Sequence, residues 1–137
     1  VSMITVLGLD HLVLRTAQPE VMTAFYGDIL GCKVERRLED LGLIQMRAGA
    51  ALIDLVDVAG TLGRKGGAAA GREGRNLDHF CLRVEPEDMK DVAASLAEHG
   101  IEAGEPGRRY GAEGWGQSLY FSDPDGNTVE LRGPPES

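Results

Sequence analysis

Two short stretches of the chain carry the same pair of proton- and metal-binding side chains, Asp10-His11 and Asp78-His79. Two others carry a carboxylate between apolar residues, Ile53-Asp54-Leu55 and Val129-Glu130-Leu131. Two imidazoles with one or two carboxylates suit a first-row divalent ion and leave positions open for water or substrate. Crowded together without a cation, these four groups would be costly to bury; a metal removes the repulsion and occupies their lone pairs. A lone strand histidine beside an aspartate is more often structural than a ligand. Here every member of the set occurs twice, and that changes the balance.

The duplication is regular. Gly8-Leu-Asp-His-Leu-Val-Leu-Arg-Thr16 lies over Asn76-Leu-Asp-His-Phe-Cys-Leu-Arg-Val84 with five of nine positions identical, at an offset of 68. Pro19-Glu20-Val21-Met22 matches Pro86-Glu87-Asp88-Met89 at 67, and the two carboxylate tripeptides match at 76. Three matches in one order at nearly one offset indicate two copies of a single module. Module one is expected over about 7–58, module two over about 76–133, within a single domain. The stretch 59–75, with six glycines and four basic residues, is expected as a flexible linker; a lid over an anionic ligand is the sharper alternative.

Each copy has the same pattern of elements. Residues 9–15 and 77–84 are short, apolar-rich and alternating, as strands are. A proline then opens a helix in each copy, where its missing N–H matters little. Met22, Phe25, Tyr26 and Ile29 recur at helical spacing before Gly31, and Met89, Val92, Ala93, Leu96 and Ala97 before Gly100. Three strands follow in each: 33–38, 42–48 and 50–57, then 101–105, 117–122 and 127–132, the last two joined by an Asp125-Gly126 turn. The fold class is α+β, a βαβββ unit used twice.

Residues two apart in a strand share a face. If Leu12, Leu14, Ile53, Leu55, Phe80, Leu82, Val129 and Leu131 lie under the helices, the other face carries His11, Asp54, His79 and Glu130. Gln45 and Arg47 fall on that face, as do Ser118 and Tyr120, and these four are candidates to hold substrate. Cys81 shares the face of His79 but is expected as a small buried filler. Arg15 and Arg83 lie about 13 Å beyond the histidines along their strands, where solvent or ion-pair roles are expected. His99, at a helix end, is expected to serve the last carbonyls.

Bulk properties bound the partners. A formal charge of −8 repels nucleic acid and anionic membrane surfaces. No apolar run approaches the roughly 20 residues of a membrane helix, and no basic-then-apolar leader is expected. Two cysteines, Cys32 and Cys81, make no disulfide framework, so a reducing, cytoplasmic location is expected.

Leu9-Asp-His-Leu-Val-Leu with Phe25-Tyr26 and Leu30-Gly31, closed by Ser118-Leu-Tyr-Phe-Ser-Asp-Pro-Asp-Gly-Asn-Thr-Val-Glu-Leu131, resembles the glyoxalase/bleomycin-resistance/dioxygenase (vicinal oxygen chelate) superfamily over nearly the whole chain. The resemblance implies two pseudo-symmetric βαβββ modules, an eight-stranded half-open barrel-like sheet with helices on its outer face, and a homodimer. Similarity to glyoxalase I implies a metal on His11, Asp54, His79 and Glu130, with Glu130 moving the proton. The implied chemistry is that of a lyase, isomerase or epimerase acting through a metal-bound enediolate on a small oxygenated substrate. Asp54 stands where glutamate is usual, and being shorter it can bind through water. Nickel, cobalt, manganese, zinc and iron are not distinguished.

Three alternatives carry different chemistry. Fosfomycin-type thiol transferases resemble the chain in the three ligands matching His11, His79 and Glu130 and in Ser118 and Tyr120, but the arginine they place on the phosphonate would fall beyond Ser137. Extradiol dioxygenases use two histidines and a glutamate on iron(II), yet need further acid–base groups. A metal-free bleomycin-binding protein fits the acidic charge, but not the ligand-type residues or an aromatic content of 5%.

Overall fold

The computed structural model describes residues 2–137, and the chain divides into two compact units, up to Gly71 and from Arg72 onward. The first holds β1 (His11–Thr16), α1 (Pro19–Asp28), β2 (Lys33–Leu38), β3 (Leu43–Ala48) and β4 (Ala51–Asp57). The second holds β5 (Phe80–Arg83), α2 (Met89–Glu98), β6 (Gly107–Gly111), β7 (Gly114–Ser122) and β8 (Thr128–Pro135). Each unit is βαβββ with one four-stranded sheet, ordered β1-β4-β3-β2 and β5-β8-β7-β6. In each, the first strand runs parallel to the last and the remaining pairs are antiparallel. The α+β class and the duplicated module are therefore as expected. The eight strands form two sheets and are not closed into a barrel.

The alternation along the strands sorts the faces as anticipated. Leu14, Ile53, Leu55, Ile44 and Met46 are buried in the first sheet with Met22 and Tyr26 of α1. Leu119, Phe121, Val129 and Leu131 are buried in the second with Met89, Val92 and Leu96 of α2. Leu119 has no exposed surface at all. Truncating Leu119→Ala removes transfer energy and leaves a cavity, so it should destabilise the chain by about 2–5 kcal/mol. Urea or thermal unfolding followed by circular dichroism would show this as a lowered midpoint.

Local chemistry sets the element ends. Pro19 opens α1, as expected. Helix α2 begins at Met89 rather than at Pro86, because the Asp88 carboxylate accepts the Lys90 N–H and caps it there. At its other end the N–H groups of Ile101 and Gly100 bond the carbonyls of Leu96 and Ala97, with Gly100 at φ 76°. The expected strand at 101–105 does not form. Pro106 follows it and cannot donate to a ladder, and the second strand of the unit is instead Gly107–Gly111, paired to β7. The Asp125-Gly126 hairpin is present: Asp123 Oδ1 accepts from the N–H of both Asp125 and Asn127.

The glycine-rich stretch is anchored at its start. A 3-10 turn occupies Gly63–Gly66, and the Arg15 guanidinium donates to the carbonyls of Gly63, Gly67 and Ala68. A Cβ at Gly66 would stand 2.6 Å from that guanidinium, so a side chain there would push Arg15 off these carbonyls. Arg15 thus neither points to solvent nor pairs with a carboxylate; it ties backbone. Arg83 does make the expected kind of ion pair, 3.2 Å from Glu113.

Candidate functional site

The polar face of each sheet presents one imidazole and one carboxylate. In the first unit, His11 Nδ1 lies 2.6 Å from Asp10 Oδ2. In the second, His79 Nδ1 lies 2.8 Å from Asp78 Oδ2. A carboxylate only accepts, so Nδ1 donates in both pairs, and the lone pair of each neutral ring falls on Nε2. A carboxylate behind the ring in this way orients a metal-binding histidine and strengthens its basicity. The duplicated Asp-His dipeptide was visible in the chain; the orienting role of Asp10 and Asp78 was not, because it depends on which ring nitrogen faces back.

His79 Nε2 stands 3.1 Å from Glu130 Oε1. With Nδ1–H committed to Asp78, a neutral His79 would set two lone pairs against each other at this contact. A proton or a cation must lie between them. Adjacent ligands of an ion bound at about 2.1 Å have a separation of this size. In the first unit Asp54 is buried, and its Oδ1 has no hydrogen-bond partner while Oδ2 accepts from Gln45 Nε2 at 3.2 Å. An orphaned buried carboxylate oxygen is costly, which a cation would relieve. Both pairs therefore fit a divalent ion. Among the described residues no group of three or more His, Cys, Asp or Glu side chains is placed to hold a metal ion; His79 and Glu130 are in contact, and the Asp54 charge acts on His11.

The charges of these groups follow from the contacts. The Asp10 hydrogen bond first, and then the charges of Asp54 and Asp10, hold the His11 pKa above the usual histidine value. Asp78 does the same for His79, reinforced by Glu130. Tyr120 packs edge-on to His79, ring centroids 5.4 Å apart. Burial first, and then the Glu130 carboxylate to which it hydrogen-bonds, raise the phenol, so Tyr120 remains a donor at neutral pH. Asp78→Ala removes the orienting acceptor alone and should weaken metal binding by about 10–100-fold. Competition against a chromophoric chelator measures it.

The remaining candidates divide. Gln45 is a partner of Asp54 and accepts from Arg36. Arg47 forms a two-bond ion pair with Glu35, at 3.0 and 2.9 Å. Ser118 is fully buried and its hydroxyl accepts from Arg109 at 3.1 Å. Two of the four stand against metal-type residues, Gln45 against Asp54 and Tyr120 against His79. His99 Nδ1 lies 3.0 Å from the Ser95 carbonyl in the last turn of α2, the helix-end role expected of it.

Cys81 corrects an expectation: it is exposed rather than a buried filler, and with His79, Glu130, Arg132 and Tyr110 it lines a cavity of 340 Å³ in the second unit. Desolvation by the surrounding walls, with the Glu130 charge, pushes its thiol up to about 11. It is a thiol, not a thiolate, at neutral pH. Arg132, buried and on this same face, carried no functional sign in the chain.

A family model described as Glyoxalase/Bleomycin resistance protein/Dioxygenase superfamily matches residues 8–131. A metapyrocatechase of Geobacillus stearothermophilus is 28% identical over 126 residues, 91% of this chain. The chain spans only 36% of that relative's length. A solved virulence protein of Salmonella typhimurium superposes with a TM-score of 0.76 at 26% identity, covering 93% of this chain and 97% of its own. An integron cassette protein from the mobile metagenome of V. cholerae gives 0.73 at 29%, covering 95% and 97%. A lactoylglutathione lyase of Agrobacterium tumefaciens, at 19% identity and 0.66, covers 91% and 92% and shares the fold.

Proposed function

We propose that this chain, which belongs to the Glyoxalase/Bleomycin resistance protein/Dioxygenase superfamily, is a divalent-metal-dependent enzyme that moves a proton next to a carbonyl of a small oxygenated substrate, as a lyase or isomerase does. One observation carries the reading: His79 Nε2 faces Glu130 Oε1 at 3.1 Å while Asp78 holds the other ring nitrogen. His11, Asp54, His79 and Glu130 are the proposed donors, with nickel, cobalt, manganese, zinc and iron all compatible with N and O ligands. Bound there, such an ion contributes Lewis-acid polarisation of a substrate oxygen.

The chain's own residues supply the rest. Asp10 and Asp78 keep the two imidazoles aimed through Nε2. Glu130, buried and touched by both His79 and the Tyr120 hydroxyl, takes and returns the proton. Tyr120 holds the carboxylate in place and stays protonated. Gln45 steadies Asp54. A homodimer in the cytoplasm completes the reading; both cysteines are free, and among the described residues no helix is long and apolar enough to cross a membrane.

A second reading has its own support. The metapyrocatechase likeness favours ring-opening dioxygenation on iron(II), for which two histidines and Glu130 would be the ligands. Asp54, a further carboxylate, favours the proton-transfer reading. Metal-free protein loaded in turn with each of the five ions, then offered hemithioacetals, acyl-CoA epimers and catechols, separates them. Solvent deuterium entering the substrate without oxygen uptake supports proton transfer. Oxygen consumption with a catechol and iron overturns it in favour of the second reading. Failure of every ion to bind stoichiometrically removes both and leaves a metal-free binding protein.

A further inference from the structure

Arg132 is charged, 7% exposed, and placed on β8 two residues beyond Glu130, on the same face of the sheet. Its Nη2 donates to the Gly114 carbonyl at 2.9 Å, and among the described residues no carboxylate makes an ion pair with it. Glu130, the nearest acid along the strand, is engaged by His79. Glu113, across the cavity, is engaged by Arg83. A buried guanidinium without a countercharge is expensive to keep.

The chain makes room for it. A Cβ at Gly111 would stand 1.9 Å from Arg132 Nη1, and one at Gly116 2.9 Å from Nη2. Gly111 leaves open the space the guanidinium occupies, while at Gly116 the Pro134 carbonyl would stand 2.8 Å from a Cβ and also bars a side chain. Arg132 lines the 340 Å³ cavity together with His79, Cys81 and Glu130. That volume is in the range of small-molecule sites. The planar fork of an arginine matches a carboxylate with two parallel hydrogen bonds.

We propose that Arg132 is the anchor of a carboxylate subsite, and that the substrate is a short hydroxy- or oxo-carboxylate. The identity of the reacting end rests on the function proposed above; the carboxylate subsite itself does not. Two residues of strand separate Arg132 from Glu130, about 7 Å along β8. A carboxylate held at Arg132 therefore sets a carbon only a few bonds away beside Glu130 and His79. Cys81, beside Glu130 on the neighbouring strand, lines the same cavity as a neutral wall. Arg83 and Glu113, which also line the cavity, are paired with each other, and on a chain of net charge −8 Arg132 is a local cation rather than one patch of a basic surface.

The test is titration of metal-free and metal-loaded wild-type protein with lactate and 2-oxobutyrate, and with their neutral counterparts propane-1,2-diol and hydroxyacetone, followed by amide NMR. Carboxylates should shift signals of the β6–β7 turn at Gly111–Gly114 in both forms, and the neutral compounds should bind at least about tenfold more weakly. Arg132→Gln should erase that preference, and Gly111→Ala, which drives a methyl into the guanidinium, should do so independently if Arg132→Gln does not fold. Arg108→Gln, on the outer surface, should leave it unchanged. Equal binding of charged and neutral compounds to the wild type, or a preference retained in a folded Arg132 or Gly111 variant, overturns the proposal. Carboxylate selectivity in protein that takes up no metal would uphold the subsite while sinking the metal reading. Metal uptake without selectivity would do the reverse.

Discussion

His79→Ala abolishes stoichiometric metal uptake, whereas Asp54→Ala weakens it less. His79 is the residue whose Nε2 meets a carboxylate at 3.1 Å and whose Nδ1 is held from behind. Its loss removes a donor and takes from buried Glu130 one of its two partners, so the affinity should fall by more than the roughly 100-fold upper range of an orienting residue. Asp54 keeps one oxygen on Gln45, and its short side chain allows water to stand in for it. Elemental analysis after dialysis against each ion decides the matter, and equal metal content in wild type and His79→Ala would end the site. The same protein should show a pH dependence of definite sign. Both imidazole pKa values are raised, by Asp10 and Asp78 first, and a metal must displace the Nε2 proton. Affinity is thus full above the raised values and falls as the pH drops through them, with protons released on binding.

The second large effect is on turnover. Glu130→Gln keeps the volume and polarity of the side chain but removes its ability to carry a proton, and should lower kcat by about 10²–10⁴-fold. The variant should retain part of its metal affinity, since an amide oxygen can still ligate, and its unfolding midpoint should move little. Deuterium exchange into substrate is the sensitive readout. Wild-type exchange rates in Glu130→Gln would show that another group moves the proton and that Glu130 serves only to hold the ion.

How much of this was legible beforehand can be judged residue by residue. Pro19 at the start of α1 and the strand at Leu43–Ala48 could be placed from local chemistry, since proline and apolar alternation act over a few residues. The Asp125-Gly126 turn was legible for the same reason. The failures lie where the partner decides. Residues 101–105 and 107–111 are both short and mixed, and pairing to β7, made through the turn at Ala112-Glu113, selects the latter. Pro86 resembles Pro19, but Asp88 offers a better cap.

The chain alone determined the duplicated module, the sorting of apolar from polar faces, and the identity of His11, Asp54, His79 and Glu130 as a matched set, because repeats and two-residue alternation are written in linear order. Tertiary structure decided what each polar group faces. It turned Arg47 to Glu35 and Ser118 to Arg109, opened Cys81 onto the cavity, and seated Arg132 between Gly111 and Gly116. These outcomes depend on side chains from strands distant in sequence, whose register is set by sheet packing and not by any neighbour along the chain.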